Sequence, residues 1–142
     1  MRKDTHPNRY GVWIDHRKAV IVRLDLDGRP THEVHESGLG RRDRFKGERT
    51  SKTGLFRHTL DRQPERQHRE NTAFKSFVKS LLARLEKPNG ILVMGPGDGR
   101  HILSGEIARR KSLSGVWMES KPVDKMTIPE IKRLVKEHFH AY

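Results

Sequence analysis

The sequence predicts an α/β domain in which one five-stranded mixed sheet carries three helices. Short apolar runs rich in β-branched residues recur between turn signals, at Gly11 to Asp15, Ala19 to Leu24, Ile91 to Met94 and Val116 to Met118. Three stretches with apolar residues at three- and four-residue spacing alternate with the later runs, the pattern of helices between strands. The length of 142 residues suits one core of ordinary domain size and leaves no room for two.

Residues 1–9 are polar and basic, contain Pro7, and read as a flexible basic tail before a single domain over 10–142. GVWID and AVIVRL are separated by His16, Arg17 and Lys18, which suits a tight hairpin between paired core strands. Asp27-Gly28 followed by Pro30 signals a second turn, and Thr31 to Glu36 alternates weakly, which suits a third strand at an edge of the sheet. From Gly38 to Arg69 large apolar residues almost vanish and basic ones crowd in. Phe74, Phe77, Val78, Leu81, Leu82 and Leu85 then mark one face of a helix that Pro88, Asn89 and Gly90 end. Its polar face carries Lys75, Lys79 and Arg84.

Ile91 to Met94 is a buried strand, Gly95 to Gly99 a glycine turn, and Ile102, Leu103, Ile107 and Ala108 the apolar side of a second helix. Val116 to Met118 forms a last strand after Gly115. Thr127-Ile128-Pro129-Glu130 has the spacing of a capping box, with proline tolerated in the first turn. The final helix presents Ile128, Ile131, Leu134, Val135 and Phe139 on one face. Strands joined by short turns pair antiparallel, whereas strands entered through helices run parallel to a neighbour. The simplest arrangement is a ribonuclease-H-like three-layer domain with strand order 3-2-1-4-5 and a basic loop inserted at 38–69.

Charge narrows the partners. Thirty Lys and Arg against eighteen Asp and Glu give +12 with neutral histidines, a field that attracts polyanions. No apolar run approaches the roughly 18 residues of a spanning helix, and MRKDTHPNRY lacks the apolar stretch of a signal peptide. The expected partner is therefore not a membrane, and the expected location is the cytoplasm. With no cysteine, disulfides and thiolate metal sites are excluded.

Between Gly38 and His58 lie Arg41, Arg42, Arg44, Lys46, Arg49, Lys52 and Arg57, set against only Asp43 and Glu48 and broken by Gly40, Gly47 and Gly54. Glycines let such a loop follow an irregular surface, while arginine bridges phosphate oxygens bidentately. Thr50, Ser51 and Thr53 add neutral donors, and Phe45 and Phe56 are available to stack on unpaired bases or to anchor the loop. The expected RNA-binding residues are these seven cations together with Arg62 and Arg100. Arg109, Arg110 and Lys111 are expected to join Arg100 in a second patch.

Two enzymatic readings compete. Gly95 to Arg100 follows a strand and opens a helix like a dinucleotide fingerprint, but Arg100 takes the place of the third glycine and the repeated βαβ units are missing, so no cofactor is expected. Asp15, Asp98 and Glu119 end strands or begin a turn as in a two-metal nuclease, yet the first helix offers only Glu86 near its terminus. His16, His32, His35, His58, His68 and His101 show no paired ligand spacing, and no metal is expected.

GVWIDHRKAVIV, the basic glycine-containing loop, the long helix, ILVMGPGDGR and the closing DKMT before the last helix resemble the central domain of the archaeal and eukaryotic class I peptide-release factor and of Pelota. They are closer still to small stand-alone bacterial relatives of that domain. The likeness covers about residues 10 to 140. It implies a ribonuclease-H-like fold and work on ribosomes. In the release factor the matching loop carries a Gly-Gly-Gln tripeptide that enters the peptidyl-transferase centre. Here Gly38 to Arg62 contains no such tripeptide, and the first glutamines are Gln63 and Gln67. The resemblance thus implies contact with ribosomal RNA or tRNA without hydrolysis, in rescue, dormancy or assembly. Peptidyl-tRNA hydrolysis by another route and metal-dependent nuclease action are the alternatives.

Overall fold

The computed structural model describes residues 8–39 and 72–140. Five strands form one mixed sheet in the order β3-β2-β1-β4-β5. They are β1 (Asn8–Ile14), β2 (Lys18–Leu24), β3 (Pro30–Glu36), β4 (Pro88–Gly95) and β5 (Trp117–Pro122). Among the described residues three α-helices accompany them: α1 over 72–82, α2 (Asp98–Arg109) and α3 (Ile128–His140), with a 3₁₀ turn at Lys111–Leu113 after α2. β1 and β2, and β2 and β3, pair antiparallel; β4 runs parallel to both β1 and β5. The expected strand order and strand directions are those observed.

Alternation along the strands divides the core in two. Tyr10, Val12, Ile14, Ala19, Ile21, Ile91 and Val93 face Phe74, Val78 and Leu81 of α1 and Leu103 and Ile107 of α2. Trp13, Val20, Val22, Leu24, Leu92 and Met94 point the other way, onto Ile131, Val135 and Phe139 of α3. The central strands therefore read as continuous apolar runs, because both of their faces are covered. β3 lies at an edge and is almost wholly exposed. Helix α3 sits close enough to the sheet that a Cβ on Gly11 would collide with the Val135 side chain.

Several boundaries differ from the sequence reading. Asn8 and Arg9, assigned there to the tail, belong to β1: Arg9 pairs with Leu24, and the Asn8 amide donates to the carbonyls of Glu86 and Lys87. Residues 1–7 lie outside the described residues. α1 ends at residue 82, short of Pro88, because Arg84 and Leu85 donate to carbonyls three residues back and tighten the last turn. β4 and β5 are longer than their apolar centres, and Ala108, read as part of the α2 stripe, is exposed. Among the described residues no helix is long and apolar enough to cross a membrane.

Candidate nucleic-acid interface

Arg41, Arg42, Arg44, Lys46, Arg49, Lys52, Arg57 and Arg62 lie outside the described residues, as does the expected 38–69 loop apart from Gly38 and Leu39. The structure describes the residues on either side of that segment. Before it comes β3, whose last residues run beside the β1–β2 hairpin. The Ser37 amide donates to the Arg17 carbonyl at 2.8 Å, and its hydroxyl donates to the His16 carbonyl at 2.6 Å. Gly38 follows with φ 80, and Leu39 packs against the core cluster shared by α1, α2 and the sheet. After it comes α1, where the buried Phe74 ring lies 5.0 Å from the His16 imidazole. Both ends of the segment therefore bear on one residue, His16, at the carboxyl edge of the parallel strands.

The hairpin that presents His16 is held by Asp15. Its Oδ1 accepts from the amides of Arg17 and Lys18, both at 2.8 Å. This is an Asx turn, and it occupies the carboxylate with backbone donors. Beside it runs the glycine turn. Gly95 has φ 143 and lies so near β1 that a Cβ would collide with the Ile14 carbonyl oxygen; Gly97 has φ 69. Gly99 is buried, and a Cβ there would stand 3.2 Å from the Phe74 ring. The turn's glycines thus answer to backbone conformation and to close packing of β1, β4 and α1.

Arg100, one residue further, is half-buried. Its Nη1 donates to the Ser120 hydroxyl at 2.7 Å, and its Nη2 lies 3.3 Å from His101 Nε2. It ties α2 to β5 near the same edge as His16. Arg109, Arg110 and Lys111 do not join it. They lie at the other end of α2, about 14 Å away along a helix rising 1.5 Å per residue, and Arg110 approaches Glu106 at 3.8 Å. The expected second patch is two separate places.

The three carboxylates of the nuclease reading also diverge, for a reason of strand geometry. Ser120 faces α2, where it meets Arg100, so its neighbour Glu119 faces α3, where it stands 3.9 Å from His138 Nε2. Asp98 opens α2, on the Arg100 side, and the Asp15 carboxylate turns back on its own hairpin. Among the described residues no three His, Asp or Glu side chains are grouped to hold a metal ion. A groove of about 410 Å³ at the amino end of β1 mixes Arg23 and Arg84 with Glu33 and Glu86. Glu33 is engaged there by His35 Nε2 at 2.7 Å and by the Arg84 guanidinium at 2.8 Å, and these contacts hold its carboxyl below the ordinary 4.5.

His16 and Phe74 are the contributors to this edge that the sequence did not single out as a pair. Phe74 shows there only as the first residue of an apolar stripe. A scan of the chain against protein-family models finds no match, and a search among curated proteins finds none.

Proposed function

We propose that the chain is a non-catalytic, cytoplasmic RNA-binding module that associates with the ribosome or with tRNA, in rescue, dormancy or assembly, and contacts RNA through its 38–69 segment. One observation carries the reading: residues 40–71 hold ten Lys and Arg against five Asp and Glu, and both flanks of that stretch are anchored on His16 at one edge of the sheet. That composition makes the stretch strongly cationic, and arginine contacts to phosphate oxygens bind RNA without reading base edges. The likeness to the release-factor and Pelota central domain and to its stand-alone relatives adds the ribosome as the site of action. The strand order is compatible with a ribonuclease-H-like fold.

The test is the salt dependence of binding to a labelled single-stranded RNA and to a tRNA. With about five phosphates neutralised, log K falls with log salt at a slope of roughly −3.5 to −4.5. Replacing Arg41, Arg42, Arg44 and Lys46 by alanine removes up to about 3 from that slope. A slope near zero in the unaltered protein refutes the proposal. Sedimentation of the tagged protein with ribosomal particles from a lysate then tests the partner, and a protein that binds RNA but stays in the supernatant is not a ribosome-associated module.

A further inference from the structure

We infer that the outer face of α1 is a second stretch of the same RNA contact, with Lys75 and Lys79 as a phosphate rail just after the basic 38–69 segment in the chain. The inference rests on the RNA-binding reading above. Residues 72–85 contain no Asp or Glu. Phe74, Val78, Leu81 and Leu82 are buried in the sheet, which leaves Lys75, Ser76, Lys79, Ser80 and Ala83 turned outward and exposed. That face is made of cations and hydroxyls. It has no exposed apolar residue larger than alanine, whereas a protein partner needs an apolar centre to bury.

The other two helices carry acids among their cations. Just past α2 Arg110 approaches Glu106, and α3 intersperses Lys132, Arg133 and Lys136 with Glu130 and Glu137, whereas residues 72–85 hold cations alone. Arg84, just past α1, is taken by Glu33. Lys75 and Lys79 meet no carboxylate among the described residues. Placed four apart, they weaken an isolated helix by repulsion and stand about 6 Å apart along its axis, so both ammonium groups can reach neighbouring phosphates of one strand. Phe74, which precedes Lys75, is the residue that touches His16, so the rail starts at the anchoring point of the basic segment.

The experiment compares full-length variants on the same labelled mixed-sequence single-stranded RNA and tRNA. K75Q/K79Q makes the salt slope shallower by about 1.5 and weakens binding by roughly tenfold near 0.1 M salt. The K75R/K79R variant, which keeps the charge, binds as the unaltered protein does. R133Q/K136Q, on the opposite face of the sheet, leaves the slope unchanged. An unchanged slope in K75Q/K79Q, beside a loss in the variant lacking Arg41, Arg42, Arg44 and Lys46, overturns the rail and leaves the RNA reading intact. Equal losses from the α1 and α3 pairs overturn it too, since the effect is then that of net charge. Tighter binding of polyglutamate than of RNA of equal charge shows an acidic protein as the occupant and overturns it. If the unaltered protein binds no RNA, the function reading fails first and the rail falls with it.

Discussion

The glycine turn between β4 and α2 shows how different two glycines of one motif are. Gly95 adopts φ 143, a region that side chains hardly enter, and its missing Cβ makes room for the Ile14 carbonyl. Gly97 has φ 69 with nothing within 4 Å of the position a Cβ would take. Gly95→Ala is therefore expected to cost on the order of 4 kcal/mol through strain and collision together. Gly97→Ala should cost less, about 1–3 kcal/mol, since φ 69 with ψ −153 is an extended region essentially confined to glycine but no neighbouring atom adds a collision. Urea unfolding of the two variants checks this, and equal losses would contradict it. The sequence makes the need for glycine in this turn legible. It does not reveal which glycine is indispensable, because that depends on β1 passing beside Gly95, a contact between residues far apart in the chain. Arg100 is a similar case: its charge is plain in the sequence, but its engagement by Ser120 follows from the pairing of β4 with β5.

Helix α3 is the element whose beginning is most completely written in local sequence. The Thr127 amide donates to Glu130 Oε1 at 2.8 Å, and the Glu130 amide donates back to the Thr127 hydroxyl at 3.3 Å, the reciprocal capping box that the spacing predicts. Thr127→Ala is expected to cost about 1 kcal/mol, measured by thermal or urea unfolding. At the other end of the helix, His138 is buried against Trp117, with ring centroids 5.1 Å apart. Burial pushes its imidazole below the ordinary 6.5, with Lys121 acting in the same direction and Glu119 opposing. Protonation therefore favours the unfolded chain. The stability that neutral His138 contributes is complete well above 6.5, is lost as pH falls through that value, and levels off below the folded-state pKa. His138→Phe keeps a ring against Trp117 and should flatten the decline in melting temperature between about pH 7.5 and 5.5; an equal decline in the variant would place its origin elsewhere. Strand lengths were less legible than helix periods. Asn8 and Arg9 look like tail residues because they are polar, and what recruits them to β1 is a set of partners in β2 and after α1 that no local pattern displays.

Across the whole molecule, the order 3-2-1-4-5 was readable because it follows from connection lengths: two short turns compel antiparallel neighbours, and two helical crossovers compel parallel ones. The convergence of both flanks of the basic segment on His16 was not readable, since it joins residues 37 and 74 through a hairpin tip. That convergence bears on the nearest enzymatic alternative. Under the proposed likeness to the release factor, ester hydrolysis needs a glycine-flanked glutamine that orients a water at the peptidyl-tRNA linkage, and residues 38–62 hold neither a glycine pair nor a glutamine. Lys52, Thr53 and Gly54 are of a size to enter the same cavity, but a lysine at neutral pH is protonated unless strongly desolvated, and so is a poor base. One oxygen of the Asp15 carboxylate at this edge, Oδ1, accepts from the amides of Arg17 and Lys18, so the group serves the hairpin turn. The expected outcome is occupancy without release. Ribosomes carrying labelled formyl-methionyl initiator tRNA in the P site should bind the protein and liberate no more formyl-methionine than they do with a variant lacking residues 41–62. Release well above that control, abolished by alanine at Lys52 or Thr53, would make the chain a hydrolase and end the binding-module reading.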